Sequence, residues 1–245
     1  QLLTMIEAQR KRGIALTVLG FGRDNLNERL MEQLADAGDG NYAYIDSAQE
    51  ASKILARQVK STLMIIAKDV KVQIEFNPAQ VAEYRLIGYE NRLLKREDFS
   101  NDKVDAGDIG AGHTVTAFYE ITPVGSKAQR IEPLRYQANG IPAKPGNTEE
   151  MAFLRLRYKD PTGGASRLIE QPIVSSNIKQ ADTDFRFATA VAAFGQLLRD
   201  GHYLGNFNWD DVITLARANR GVDPHGERAE FVSLAELAKN LAISK

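Results

Sequence analysis

The sequence predicts an α/β segment, an antiparallel β-sandwich and a helical segment, in that order along the chain. In residues 1–66, helical and strand spacings of apolar residues alternate, which is typical of a doubly wound, Rossmann-like sheet. In residues 67–180, apolar residues recur at every second position with turn-forming residues between the runs, which favours an antiparallel sandwich. In residues 181–245 the helical spacing returns. We therefore predict three domains with these boundaries.

Composition narrows the possible functions before any motif is considered. The 245 residues include 31 Lys and Arg against 32 Asp and Glu, with no long run of one sign, so nothing favours a nucleic-acid partner. The chain contains no cysteine, which excludes disulfides, thiol nucleophiles and cysteine metal sites. No apolar run approaches the roughly 20 residues that a membrane helix needs, so we predict no membrane-spanning segment in this chain.

The α/β segment is predicted to run helix, strand, helix, strand, helix. Its first helix ends near Arg12, because Gly13 readily adopts the left-handed conformation that caps a helix. The strand at 14–21 is apolar on both faces, as parallel strands covered by helices are. A short strand at 41–46 separates two helices with apolar stripes at Leu26, Leu30 and Leu34 and at Ala51, Leu55, Val59, Leu63 and Ile66. Two parallel strands rarely stand alone, so we expect further strands upstream of Gln1 and a fragment of a longer protein.

Alternating apolar residues predict five strands of the sandwich, at 68–76, 82–89, 113–121, 152–158 and 166–174. The connection at 124–150 is unusually long and rich in proline and glycine, so we expect a mobile excursion. In the helical segment, one apolar stripe consists of Phe187, Val191, Phe194 and Leu198. Asn208 is placed to cap a further helix.

The glycine-rich stretch "GFGRDN" (20–25) follows the first predicted strand, on the side where open α/β sheets bind ligands. A dinucleotide-binding loop needs a third glycine where this chain has Asn25, and the Gly-Lys-Ser/Thr of a P-loop is missing. We therefore expect no phosphate site in this loop. We predict Arg23, Asp24 and Asn25 as partner-binding residues at the rim of a site that other loops form.

The acidic residues and the histidines are not spaced as metal ligands, and we predict no metal site. Asp102, Asp105 and Asp108 recur at every third position, whereas an EF-hand needs ligands at alternate positions and a Glu at the twelfth. A solvated hairpin loop is favoured over a calcium site for this stretch. The three histidines lie far apart in the sequence, which argues against zinc: His113, His202 and His225.

A polar and aromatic cluster near the second predicted sandwich strand has the composition of a protein contact surface. Its predicted partner-binding residues are Tyr84, Arg85, Tyr89 and Arg92. Two alternatives stay open. One is a hydrolase whose site forms between the sandwich and the helices around His113 or His202. The other is a carbohydrate-binding sandwich with exposed aromatic residues on one sheet face, for which the candidates are Tyr84, Tyr89, Tyr119 and Tyr158.

Four long stretches resemble a single bacterial group of proteins: 13–51, 67–94, 102–125 and 184–199. The first is similar to the last two strands and flanking helices of a von Willebrand factor type A domain. The other three are similar to the C-terminal extension of a largely uncharacterised, often envelope-anchored group of type A domain proteins. The resemblance implies a sheet-based module that binds protein partners at the bacterial cell envelope (periplasmic or surface, lipid-anchored). We expect no enzymatic activity, because the sequence does not indicate a large polar cleft with convergent titratable groups.

In type A domains a divalent cation often mediates binding, held by an Asp-x-Ser-x-Ser loop and by residues of later loops. This chain contains no Asp-x-Ser-x-Ser, so the resemblance assigns no ligand to any residue here. We expect no cofactor in this chain, and Mg or Mn only where the upstream type A loops are present. The predicted function is a protein-binding, adhesion or scaffold module with a protein partner that the sequence does not identify.

Overall fold

The computed structural model describes residues 2–22, 26–57, 64–131, 149–177 and 179–243. In that part of the chain the structure is mixed α/β, with six α-helices, one parallel pair of strands and two antiparallel sheets. The chain divides into two compact units. Unit 1 comprises Gln1–Asn77, Arg92–Thr116 and Glu150–Ile173, and unit 2 comprises Pro78–Asn91, Ala117–Glu149 and Val174–Lys245.

The beginning of unit 1 has the predicted order of helix, strand, helix, strand, helix. These elements are α1 (Leu2–Arg10), β1 (Val18–Phe21), α2 (Glu28–Ala37), β2 (Tyr42–Ile45) and α3 (Ala48–Ser52). β1 and β2 pair in parallel. The side chains of Asn27 and Ser47 accept hydrogen bonds from backbone N–H groups in the first turns of α2 and α3, which fixes where both helices begin.

Two predicted boundaries in this segment are wrong. The first strand begins at Val18, and Ile14 and Phe21 are 52% and 62% exposed, so helices do not cover the predicted strand on both faces. Before Val18 the chain runs close to the end of α2, where a Cβ on Gly40 would lie 1.7 Å from the Leu16 carbonyl oxygen. This close approach requires glycine at position 40.

The third helix does not extend to Ile66, which lies in the following strand. After α3 the chain makes a π-helical turn at Lys53–Arg57. The apolar run at 64–67 fits helical and strand spacing equally well. Pairing with a neighbouring strand stabilises the extended conformation here, because Ile65 lies opposite Gly110 of that strand.

The four-stranded sheet of unit 1 has the order β5-β3-β7-β8. Its strands are β3 (Ile65–Phe76), β5 (Gly107–Gly110), β7 (Glu150–Lys159) and β8 (Arg167–Val174). On one face of the central pair, Lys71 lies opposite Arg157 and Gln73 lies opposite Arg155. On the other face, Val72, Ile74, Leu154 and Leu156 form apolar cross-strand pairs. The sheet therefore has one apolar and one polar face, because successive side chains alternate between faces.

The described residues of unit 2 form a two-stranded antiparallel ribbon, β4 (Val81–Ile87) with β6 (Phe118–Pro123), and three α-helices. The helices are α4 (Thr183–Leu197), α5 (Trp209–Ala218) and α6 (Glu227–Ile243). Their core is built from alanine, phenylalanine and β-branched aliphatic residues: Phe187, Ala190, Ala193, Phe194, Val212, Ile213, Ala216, Val232 and Ala235. As predicted, Asn208 caps α5, where it forms a capping box with Asp211.

All five predicted sandwich strands are present, with ends shifted by up to five residues at the start of β6. The hairpin loop predicted around Asp102, Asp105 and Asp108 is wrong in part, because Gly107–Gly110 forms β5. Asp108 fixes this strand to β3 by accepting a hydrogen bond from the Asp69 N–H at 3.1 Å. Most of the predicted mobile connection lies outside the described residues. The predicted domain boundaries stay a prediction.

Candidate functional site

A cavity of about 280 Å³ lies on the polar face of the four-stranded sheet, and we name it the arginine pocket. Its lining residues are Gln73, Arg96, Phe99, Ser100, Arg155, Arg157 and Leu168. Three of these side chains carry a guanidinium group, and none of them carries a carboxylate. The arginine pocket is therefore a concave site whose lining favours negatively charged groups.

Residues 95–101 form one wall of the arginine pocket, and a buried lysine of β3 holds this wall in place. Lys71 is only 3% exposed. Its Nζ donates hydrogen bonds to the carbonyl oxygens of Asp98 at 3.3 Å and Asn101 at 2.6 Å. A buried ammonium group needs such partners, because an unsatisfied buried charge is strongly destabilising. The wall and the sheet are thus joined by charge-assisted hydrogen bonds.

The guanidinium group of Arg157 in β7 contacts three side chains. Its Nη1 donates a hydrogen bond to Ser166 Oγ at 2.7 Å and lies 3.5 Å from Asp102 Oδ1. Its guanidinium carbon lies 5.8 Å from the ring centroid of Phe99, which is 6% exposed. The Nε of Arg157 is buried without a hydrogen-bond partner in the described part of the chain. The guanidinium group is therefore held in position with part of its donor capacity unused.

Arg155, two residues earlier on β7, is held by polar groups of both neighbouring strands. Its Nε lies 3.2 Å from Glu170 Oε1, and its Nη1 lies 3.4 Å from Gln73 Oε1 and 3.6 Å from Glu75 Oε2. The third arginine differs from these two. Arg96 is exposed, and its guanidinium group makes no hydrogen bond or ion pair with any residue that the structure describes. It is the one guanidinium group of the lining without a counter-ion in the described residues.

A second polar cluster in unit 1 joins the aspartate-rich stretch to α1 and the sheet. Asp69 Oδ2 accepts a hydrogen bond from Lys159 Nζ at 2.6 Å, and Asp69 Oδ1 accepts one from the Ala106 N–H at 3.2 Å. Partial burial acts to raise the pKa of Asp69, but these hydrogen bonds outweigh it and lower the pKa. Burial and neighbouring carboxylates raise the pKa of Asp105 to about 6, although Arg10 Nη1 lies 2.6 Å from its Oδ2.

Asp102, Asp105 and Asp108, the aspartates considered as calcium ligands from the sequence, do not converge on a common point. Each bonds to a different group: Asp102 to Ser166 Oγ at 2.7 Å, Asp105 to Arg10 at 2.6 Å and Asp108 to the Asp69 N–H at 3.1 Å. Among the residues that the structure describes, no group of three or more His, Cys, Asp or Glu is placed to hold a metal ion. The cluster is a hydrogen-bonded and ion-paired network that connects elements of unit 1.

The predicted contact surface is divided between the two units. Tyr84 and Tyr89 are 60% and 39% exposed, and both belong to unit 2. Arg85, also in unit 2, is engaged within the protein: it pairs with Glu120, donates to Gln196 Oε1 at 2.6 Å and lies 4.1 Å from the ring centroid of Tyr203. These residues therefore stay a prediction as partner-binding residues.

Four further residues are predicted to bind a partner: Arg92, Arg23, Asp24 and Asn25. Arg92 belongs to unit 1, where it pairs with Asp36 at 2.9 Å. Arg23, Asp24 and Asn25 lie outside the described residues.

The two alternative functions also stay predictions. His113 and His202 are exposed, and neither lines the arginine pocket. For the carbohydrate-binding alternative, Tyr119 is half-buried and shares one face of the ribbon with Tyr84, since Leu86 lies opposite Tyr119. Tyr158 is half-buried on the apolar face of the other sheet. Burial of the phenol raises the pKa of Tyr119.

Sequence reasoning missed the residues of the arginine pocket. One signal was present, since "FLRLRY" places Arg155 and Arg157 on the same face of β7, between apolar residues that point the other way. Two arginines on one strand face are usually solvated, and the sequence does not reveal the wall at 95–101 that makes the face concave. No helix of the described residues is long and apolar enough to cross a membrane.

The fold and the site together define a mixed α/β protein with antiparallel sheets and an arginine-lined pocket. Residues 61–241 match the family described as "Uncharacterized protein YfbK, C-terminal", and the chain belongs to this family. It is 48% identical over 235 residues to "Uncharacterized protein YfbK" of Escherichia coli (strain K12). The match covers 96% of this chain, which spans only 40% of the length of that relative. No solved structure gives a significant match.

Proposed function

We propose that this chain is a non-enzymatic protein-binding module, formed by the end of a type A domain and its C-terminal extension. The parallel pair β1–β2 within a helix, strand, helix, strand, helix order supports the type A part of the proposal. The apolar face of the four-stranded sheet supports a sandwich, because a sandwich needs one apolar face on each sheet. The envelope location belongs to the proposal and rests on the resemblance alone.

The exposed edge strand β8 is the observation that carries the protein-binding part. Within the described residues β8 pairs only with β7, at the end of the sheet. Residues 167–172 are exposed, and Leu168 and Ile169 are 44% and 52% exposed. Such an edge presents unpaired backbone N–H and C=O groups that an extended segment of another protein can complete. Pro172 lacks an N–H, so the stretch before it is the binding edge.

The arginine pocket beside β8 favours binding over catalysis. Guanidinium groups stay protonated and donate hydrogen bonds, so they recognise anions and do not act as general bases. The remaining polar side chains of its lining are Gln73 and Ser100, and neither is an acid or a base at neutral pH. This chemistry supports a recognition surface that includes β8 and the arginine pocket.

Site-specific photo-cross-linking in cells tests this proposal. The photoreactive amino acid p-benzoylphenylalanine replaces Ile169 in the full-length protein, and irradiation then traps whatever contacts β8. The matched control places the same group at Val222, which is 89% exposed and lies in unit 2. We expect a discrete protein adduct from position 169 and not from position 222. An absence of adducts at 169, or the same adducts at both positions, contradicts the proposal.

A further inference from the structure

We propose that the arginine pocket binds a side-chain carboxylate of an extended, acidic partner segment that pairs with the edge of β8. The proposal rests on the proposed function, because it names the chemistry of the partner that such a module binds.

The donors of the arginine pocket point to an anion. None of the hydrogen bonds that Arg155 and Arg157 make with described residues uses Nη2. The side chain of Arg96 makes no hydrogen bond with any described residue. Three guanidinium groups in one cavity thus keep unused N–H donors, in a planar arrangement that matches carboxylate oxygens. The two arginines of β7 are already fixed by their partners, so little side-chain entropy is lost when a ligand binds.

The charge balance favours a carboxylate over a phosphate. Three carboxylates lie within 3.6 Å of Arg155 or Arg157: Glu75, Glu170 and Asp102. They equal in number the three guanidinium groups of the lining, and Lys71 adds a fourth cation whose ammonium group contacts backbone carbonyl oxygens. The excess is therefore one positive charge, which matches the single charge of a carboxylate, whereas a phosphate carries about two negative charges near neutral pH.

The position of the arginine pocket next to β8 favours a side chain on an extended segment. Leu168 of β8 lines the pocket, and Glu170 of the same strand face contacts Arg155. A segment that pairs with β8 would place alternate side chains on this face. Neighbouring strands lie about 4.8 Å apart, so a glutamate on the added strand has the length to reach the pocket across Leu168.

Binding of defined peptides to the purified protein tests the proposal. The probe is a short, capped, fluorescently labelled peptide of alternating valine and glutamate, measured by fluorescence anisotropy. We expect it to bind, and we expect Arg96→Gln to weaken binding about tenfold, the effect of removing one charged hydrogen-bond partner. The control is Arg217→Gln, an exposed arginine of α5 that pairs with Glu236 in unit 2 and should leave binding unchanged.

Four comparisons decide the result. The carboxylate site is overturned if a peptide with glutamine in place of glutamate binds as tightly as the glutamate peptide. It is also overturned if the Arg96→Gln variant binds the glutamate peptide as tightly as the unmodified protein does. Equal binding of a peptide with N-methylated backbone amides overturns pairing with β8, because methylation removes the donors that a strand needs. Competition by acetate as effective as that by the peptide means that the site takes a free anion, which also overturns the proposal.

The two experiments fail in distinguishable ways. If the glutamate peptide does not bind while position 169 still cross-links specifically, the carboxylate site is wrong and the protein-binding function stands. If position 169 gives no specific adduct, the protein-binding function itself is contradicted, whatever the peptides do.

Discussion

Replacing Lys71 with methionine should destabilise unit 1 and release the wall of the arginine pocket. Lys71 is 3% exposed and donates two hydrogen bonds to carbonyl oxygens of the wall. Hydrogen bonds from a charged group contribute about 1.5 kcal/mol each, so their loss costs about 3 kcal/mol. Methionine fills a similar volume and avoids the cost of burying a charge, which reduces the expected loss to about 2 kcal/mol.

Urea unfolding of Lys71→Met measures this loss, and amide hydrogen exchange across 95–101 reports whether the wall opens. The matched control is Lys103→Met, because Lys103 is exposed and lies in the chain just after the wall at 95–101. A surface substitution of this kind should change stability by less than about 0.5 kcal/mol. If Lys71→Met behaves like the control and exchange across 95–101 is unchanged, the ammonium group does not hold the wall and this reasoning is refuted.

Two further predictions concern a helix cap and a titrating carboxylate. Asn208→Ala should cost about 1 kcal/mol of stability in urea unfolding, because it removes the capping box of α5, whereas Asn206→Ala should change little. Carboxyl NMR shifts should show Asp105 titrating near pH 6, and a midpoint near 4 would contradict its partly buried, acidic surroundings. Because this pKa lies above the unfolded value, the stabilising contribution of Asp105 is present at low pH and is lost as the pH rises through about 6. Asp105→Asn should weaken that pH dependence.

The alternation of apolar residues was sufficient to predict the strands, because each sheet has one apolar face. Val72 and Ile74 of β3 lie on the same face as Leu154 and Leu156 of β7, and the sequence shows this period of two in both strands. The same rule failed at β5, where Gly107–Gly110 has only one large apolar residue. Hydrogen bonds with the side chain and the backbone of Asp69 hold β5 in place. Because these contacts join residues that are far apart in the sequence, no local pattern of residues predicts them.

Arg85 shows a second limit of sequence reasoning. The polar and aromatic residues near Tyr84 stay a predicted contact surface, and the sequence does not show that Arg85 binds Glu120, Gln196 and Tyr203 within unit 2. Two of these partners lie more than 100 residues away in the sequence. The local sequence around an arginine does not show whether its guanidinium group is hydrogen-bonded within the protein or is free to bind a ligand. Only its tertiary contacts distinguish the two cases.

The same distinction separates Arg96 from four ion-paired arginines of unit 1: Arg10, Arg92, Arg155 and Arg157. Arg10 and Arg92 pair with aspartates at 3.3 Å or less, and Arg155 and Arg157 have acidic neighbours within 3.6 Å. Paired arginines contribute little to stability at an exposed surface but fix the orientation of their guanidinium groups. In the arginine pocket the two oriented guanidinium groups line the same cavity as Arg96, whose own guanidinium group makes no ion pair with a described residue. The pocket therefore combines two guanidinium groups held in advance with one that has no ion-pair partner, the arrangement that an acidic side chain on an added strand would complete.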